Sequence, residues 1–358
     1  MIIVRTPLRV SFFGGGTDHP TWFEQHGPGA VLSTAINKFV YIQLRPTPAI
    51  FPFKYRVVWR QVEQVLTKEE IEHPVVRAVL QHYGADEKHG YEVVYNADLP
   101  ARAGLASSSA FTVAMLHAFN SNRGRYMSPR DLASEATFVE QKLLKEPVGN
   151  QDQIAVAFGG LNRIDFGKAG HFDVRPVDIQ PERSQDLEGS LMMFFTSFTR
   201  SAGKIEEQKL ENFAKKAADL NRMYDMVGEG AQILENPATD LNDFGRLLDE
   251  AWQRKRGLAT AVSNNDIDEA YARAIKAGAL GGKLLGAGGG GFLLFFVPKA
   301  RQDAVIRAME PYRHVPFRME RGGSRVALHD PDLTSNYETA YPDPNQDAHP
   351  ARAKPRAA

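Results

Sequence analysis

The sequence predicts an α+β protein built as two lobes. Three observations carry that expectation. Short runs of β-branched and aromatic residues fill the first hundred positions, and helical periodicity takes over from Ala202. Segments of glycine and other small residues stand at Gly14-Gly15-Gly16-Thr17-Asp18, at Gly104 and at Gly286-Ala287-Gly288-Gly289-Gly290-Gly291.

The bounds fit this. A chain of 358 residues with 43% hydrophobic and 24% charged residues buries a real core. Its 43 basic and 43 acidic residues cancel, so no global field recruits nucleic acid or anionic lipid. The absence of cysteine excludes disulfides, thiol nucleophiles and cysteine metal ligands, and suits a cytoplasmic protein. Met1 leads into a strand-like Ile2-Ile3-Val4 rather than a signal peptide, and no uncharged apolar run would span a bilayer. Neither a nucleic acid nor a membrane is an expected partner.

Strands are expected at residues 2–5, 9–13, 39–44, 55–59 and 92–97. Pro100-Ala101-Arg102-Ala103-Gly104-Leu105-Ala106-Ser107-Ser108-Ser109-Ala110 reads as a loop entering a helix, because residues 111–119 continue it with an apolar helical stretch. Such a loop exposes backbone N–H groups at the positive end of the helix dipole, a cradle for phosphate. Ser128-Pro129-Arg130-Asp131 signals another helix start, with an N-cap serine, proline at N1 and an acid at N3, reaching to about Leu144. Strand returns at 159–166 and 191–196. Helices follow at 205–227, at 241–258 (Leu241, Phe244, Leu247, Leu248 and Trp252 share a face) and at 266–277. The glycine segment then feeds the apolar run 292–297, and a helix at 300–310 and strands at 314–319 and 325–328 close the fold. The expected division is a first lobe at 1–200, a second at 201–330 and a mobile tail at 331–358.

Gly286, Gly288 and Gly291 match the dinucleotide fingerprint by letter. That fingerprint follows a strand and opens a helix, whereas here a helix is expected before it and a strand after. Gly281-Gly282-Lys283 fails as a P-loop because Leu284 stands at the Ser/Thr position. So many consecutive glycines are costly for a turn alone, which points to close approach of other groups to the backbone.

Together, Pro7-Leu8-Arg9-Val10-Ser11-Phe12-Phe13-Gly14-Gly15-Gly16-Thr17-Asp18, the Gly104 run and residues 283–291 resemble the three ordered motifs of the galactokinase, homoserine kinase, mevalonate kinase and phosphomevalonate kinase (GHMP) family, over about residues 1–330. The wording around Gly14–Asp18, the run Leu32-Ser33-Thr34-Ala35-Ile36-Asn37-Lys38 and Thr199-Arg200 look most like the branch of bacterial heptose 7-phosphate kinases. Galactokinases usually carry Gly-Glu-His-Thr-Asp where this chain has Gly15-Gly16-Thr17-Asp18.

The resemblance implies a ribosomal-protein-S5-like N-terminal lobe, a ferredoxin-like C-terminal lobe and an active site in the cleft between. It implies ATP and Mg²⁺, with transfer to the anomeric hydroxyl of D-glycero-D-manno-heptose 7-phosphate. Asp152, in Gly149-Asn150-Gln151-Asp152-Gln153, would take the proton of the sugar hydroxyl, and Arg9 would keep it charged. Pro100, Gly104, Leu105, Ala106, Ser107, Ser108 and Ser109 would form the nucleotide loop. Ser108 and Glu140 would hold the metal through hard oxygens. Asp18, Gly16, Thr17 and Gly288 would meet the sugar, with Lys38, Arg200 or Lys204 on its phosphate. A fucose or other sugar 1-kinase and a catalytically silent sensor are the alternatives; a nucleic-acid binder has no basic stripe to support it.

Overall fold

The computed structural model describes residues 1–84, 89–196, 210 and 212–330. Arg200, Lys204, the tail at 331–358 and the first part of the helix expected at 205–227 lie outside the described residues.

Two antiparallel-dominated sheets form the frame. In the first, β1 (Ile2–Phe13) lies against the long β2 (Gly29–Pro46). One end of β2 pairs with β5 (Tyr91–Ala97), which continues to β3 (Tyr55–Val58) and β4 (Val62–Val65); its other end pairs with β6 (Leu161–Phe166) and thence β7 (Phe172–Pro176). The second sheet runs β11 (Arg313–His314), β8 (Leu191–Phe195), β10 (Phe292–Phe296), β9 (Gly281–Leu284). The chain does not divide simply at 200. Strand β8 precedes that point but belongs to the second sheet, while β12 (Arg325–His329) returns to the free edge of β1.

Two local differences from the sequence reading matter for the site. Residues 2–13 form one strand, because Pro7 falls at a register shift opposite Phe39, where a missing N–H costs the ladder least. The glycine segment does not follow a helix directly; β9 lies between, so residues 285–291 join two antiparallel strands. Gly281 of β9 packs under the carbonyl of Gly245, where a Cβ would stand 2.0 Å from that oxygen. A strand of this composition leaves no β-propensity signal.

Helices α1 (Pro20–Phe23), α2 (Pro74–Tyr83), α3 (Ser107–Asn122), α4 (Pro129–Phe138), α5 (Gln151–Phe158) and α6 (Pro181–Ser190) interleave with these strands. Ser128 and Asp131 form the reciprocal capping box of α4. Helix α3 is apolar on every side and buried against β1 and β2, as such a helix must be. No helix among the described residues is long and apolar enough to cross a membrane.

The two sheets share one core cluster, and Phe194, Leu293 and Phe295 of the second sheet join Trp252 and Tyr271 in another. On the helix Asn242–Arg256, fully buried Phe244 meets Phe12 and Phe13 of β1 edge-on, with ring centroids 5.2 and 5.1 Å away, and Phe296 of β10 at 6.4 Å. One aromatic ring therefore joins both lobes. Phe244→Ala is expected to lower stability by about 3–5 kcal/mol in urea unfolding, as for buried aromatics generally, and to do so within a single transition.

Candidate active site

Several separate chain segments converge on one cleft. Arg9 comes from the middle of β1 and is 3% exposed. Its Nη2 and Nε donate to Oδ1 of Asp152 at 2.7 and 2.9 Å, and its Nη1 donates to the Gly104 carbonyl at 2.8 Å. Asp152 sits in the first turn of α5, where the helix dipole also favours a carboxylate. Both Arg9 bonds fall on the same oxygen, so Oδ2 takes none from Arg9.

The loop before α3 supplies the opposite wall. Ala106 occupies the N-cap position in left-handed geometry, with φ 63°, and no side chain caps the helix. The first N–H groups of α3 are left for a ligand. Ser107 accepts from the Arg102 N–H at 3.1 Å, and Ser108 is exposed. Gly104 and Gly286 touch backbone to backbone: a Cβ on Gly286 would lie 2.4 Å from the Gly104 Cα, and one on Gly104 would lie 2.4 Å from the Leu285 carbonyl oxygen. Both residues have positive φ, at 84° and 72°. The C-terminal glycines thus serve close contact with the small-residue loop.

The third segment is Gly14–Asp18. Asp18 is buried, its Oδ1 accepts from the Gly16 N–H at 2.7 Å, and its carbonyl accepts from the Asn150 N–H at 2.9 Å. Gly16 and Gly288 also line the cleft.

Other expected residues lie elsewhere. Thr17 is fully buried and its hydroxyl is used on the Gly14 and Ala30 carbonyls, so it shapes the turn and does not line the cleft. Pro100 is exposed away from the cleft, and Leu105 is buried behind it with its carbonyl accepting from the Arg9 N–H. Lys38 is half-buried on β2, also off the cleft wall.

Ser108 and Glu140 are not joined. Glu140 is 1% exposed and accepts from Ser109 at 3.0 Å, from Thr112 at 2.8 Å and from Gln153. It is placed by a π-helical turn at Val139–Leu143, where a plain α-helix is expected; the next residue, Gln141, pins Asn150 and Val148 ahead of Asp152. Among the described residues no cluster of three or more His, Asp or Glu side chains is arranged to hold a metal by itself.

Sequence reading missed Arg102, Lys255 and Gln151, and gave Lys283 no role. Lys255 is 7% exposed and donates to the Leu284 carbonyl at 2.9 Å and to the Gly286 carbonyl; Lys283 is 4% exposed and donates to the Phe12 carbonyl at 2.6 Å. The signal for Lys255 was present, because it falls on the helix face that carries Leu248 and Trp252. The cleft wall therefore carries Arg9, Arg102, Lys255 and Lys283 against Asp18 and Asp152. A chain of zero net charge concentrates positive charge there, beside open helix N–H groups, and such a cleft binds phosphates.

A carboxylate held by a buried arginine near a phosphate-type loop suits a phosphotransferase with an alcohol group as acceptor. Residues 68–160 match the model described as GHMP kinases N terminal domain, and residues 232–314 the model described as GHMP kinases C terminal. The chain thus matches both GHMP kinase domain models, in N- to C-terminal order. It is 28% identical over 319 residues to the D-glycero-alpha-D-manno-heptose 7-phosphate kinase of Campylobacter jejuni, covering 86% of this chain and 93% of that one. It is 26% identical to the galactokinase of Thermococcus kodakarensis, over 85% of this chain and 91% of the other. Among solved structures, a D-glycero-D-manno-heptose 1-phosphate kinase from Bacteroides thetaiotaomicron shares the fold, with a TM-score of 0.75, 23% identity and coverage of 92% and 100%.

Burial pushes the Glu140 carboxyl up from 4.5 to about 7, against the pull of its three donors. The folded chain holds that proton more tightly than the unfolded one. This contribution to stability is full below about pH 4.5 and is lost as pH rises through about 7, at most about 3 kcal/mol. In metal-free buffer, the urea midpoint of the wild type should fall between pH 5 and pH 8 relative to Glu140→Gln, which lacks the titration.

Proposed function

We propose that this protein transfers the γ-phosphoryl group of ATP to the C1 hydroxyl of D-glycero-D-manno-heptose 7-phosphate, giving the 1,7-bisphosphate on the way to nucleotide-activated heptose. The observation that carries the reading is the Arg9–Asp152 pair, which stands in one cation-rich cleft with the uncapped start of α3. The choice of sugar rests on the similarity to the Campylobacter jejuni enzyme over nearly the whole of both chains.

In this reading the N–H groups of residues 107–109 and Arg102 hold the ATP phosphates. Asp18 and Gly16 orient sugar hydroxyls, since a carboxylate accepts two such bonds. Asp152 Oδ2 accepts the proton of the C1 hydroxyl as its oxygen bonds to the γ-phosphorus. The bond to the β,γ-bridging oxygen breaks and ADP leaves. Arg9, Lys255 and Lys283 offset the charge that spreads over the transferring group. The hydroxyl of Ser108 would hold a Mg²⁺ ion, which would neutralise phosphate charge. Glu140 would act on that site from behind, by fixing Ser109 and Thr112 of α3.

A sugar kinase of another specificity is the second reading, favoured by 26% identity to the L-fucokinase/L-fucose-1-P guanylyltransferase of Bacteroides fragilis, of whose length the chain covers 35%. The test is ATP consumption with Mg²⁺ against heptose 7-phosphate, mannose, mannose 6-phosphate, fucose and galactose. Turnover confined to heptose 7-phosphate is expected; turnover confined to a free hexose overturns the heptose assignment. Asp152→Asn should lower kcat on the active sugar by about 100- to 10,000-fold with the KM for ATP unchanged.

A further inference from the structure

Two side-chain polar atoms of the cleft wall are buried without a hydrogen-bond partner among the described residues: Ser11 Oγ and Gln151 Oε1. Such atoms are rare in folded proteins, and at a site they mark where a ligand completes the bonding. The neighbouring side chains are already engaged. Asp152 receives Arg9, Asp18 receives Gly16, Ser107 receives Arg102, and His19 accepts from the Thr21 N–H.

Of the two, Gln151 has the better position. It directly precedes Asp152 in the first turn of α5, and its Nε2 lies 3.8 Å from where a Cβ of Gly15 would stand. Its amide thus occupies the wall between the Asp18 loop and the Asp152 carboxylate. An amide offers a donor at one end and an acceptor at the other, whichever way its O and N are assigned. That pairing suits a hydroxyl, which both donates and accepts; a phosphate only accepts.

We propose that Gln151 is a specificity-determining residue for the acceptor, hydrogen-bonding the hydroxyl on the carbon next to the one that is phosphorylated. This rests on the sugar-kinase reading, in which the reacting hydroxyl meets Asp152 Oδ2. Gln151 and Asp152 both line the cleft, so the hydroxyl next to the reacting one would meet the Gln151 amide.

The test compares wild type, Q151L and Q151E with ATP, Mg²⁺, D-glycero-D-manno-heptose 7-phosphate and its 2-deoxy analogue. Because the Gln151 side chain makes no hydrogen bond among the described residues, the melting temperature should not move, and Q151E keeps an acceptor if Q151L folds poorly. In Q151L the KM for the sugar should rise about three- to tenfold, the worth of one hydrogen bond, with the KM for ATP unchanged. The 2-deoxy analogue should cost the wild type a similar factor and cost Q151L nothing further. Losses that multiply when both changes are combined, or a KM for ATP that rises in step, overturn the proposal. If the wild type ignores heptose 7-phosphate, the heptose reading fails by itself. The same comparison is then made with the sugar that is turned over and its 2-deoxy form, and gives the same two outcomes.

Discussion

A guanidinium removed from water is costly unless its donors are satisfied and its charge is met. Arg9 satisfies that demand with groups from two different places: the Asp152 carboxylate at the start of α5 and the Gly104 carbonyl in the loop before α3. The buried charge therefore fixes the spacing between the carboxylate that is to receive a proton and the loop that is to hold phosphates. Strand β1, which carries Arg9, is itself held on both edges, by β2 and β12. The site inherits the rigidity of the first sheet.

The second sheet reaches the same point by a different route. Its glycine hairpin meets the small-residue loop through backbone, at Gly286 against Gly104 and at Gly291 against Ala103, where a Cβ on Gly291 would stand 2.4 Å from the Ala103 carbonyl oxygen. Two buried lysines brace this seam. Lys283 crosses from β9 to the Phe12 carbonyl of β1, and Lys255 fastens the hairpin to the helix Asn242–Arg256. The seam leaves no room for side chains, and it brings cationic groups into the cleft that the first lobe alone would lack. Phosphate binding and lobe assembly thus draw on the same residues.

Much of the local structure was legible. The capping box at Ser128 and Asp131, the apolar helix after Ala106 and the strands at 92–97 and 191–196 follow from short-range rules, and the structure has elements at each place. Long-range facts were not legible: that β8 joins the second sheet and β12 the first depends on pairings that no local pattern encodes. Strand β9 was hidden because Gly281 and Gly282 have no side chains to show alternation. Within the site, Arg9 and Asp152 are brought together, whereas Thr17 is spent on its own turn and Lys38 lies off the cleft wall. Ser109 rather than Ser108 meets Glu140, because Ser109 shares the buried face of α3 with Thr112 while Ser108 is exposed. Lys255 stands in a run of three basic residues, but it falls on the apolar face that Leu248 and Trp252 mark, so its burial was legible.

The account stands on Arg9 and Asp152 acting as one unit, and a double-mutant cycle on phosphoryl transfer addresses that directly. Rates are measured for Arg9→Gln, Asp152→Asn and the double variant, each checked for folding by its melting curve. Residues that work together give losses far from additive. The account predicts that the double variant transfers the γ-phosphoryl group about as fast as the slower single variant. Losses that multiply to the full product of the two single effects would contradict it, leaving the arginine and the aspartate as independent parts of the cleft.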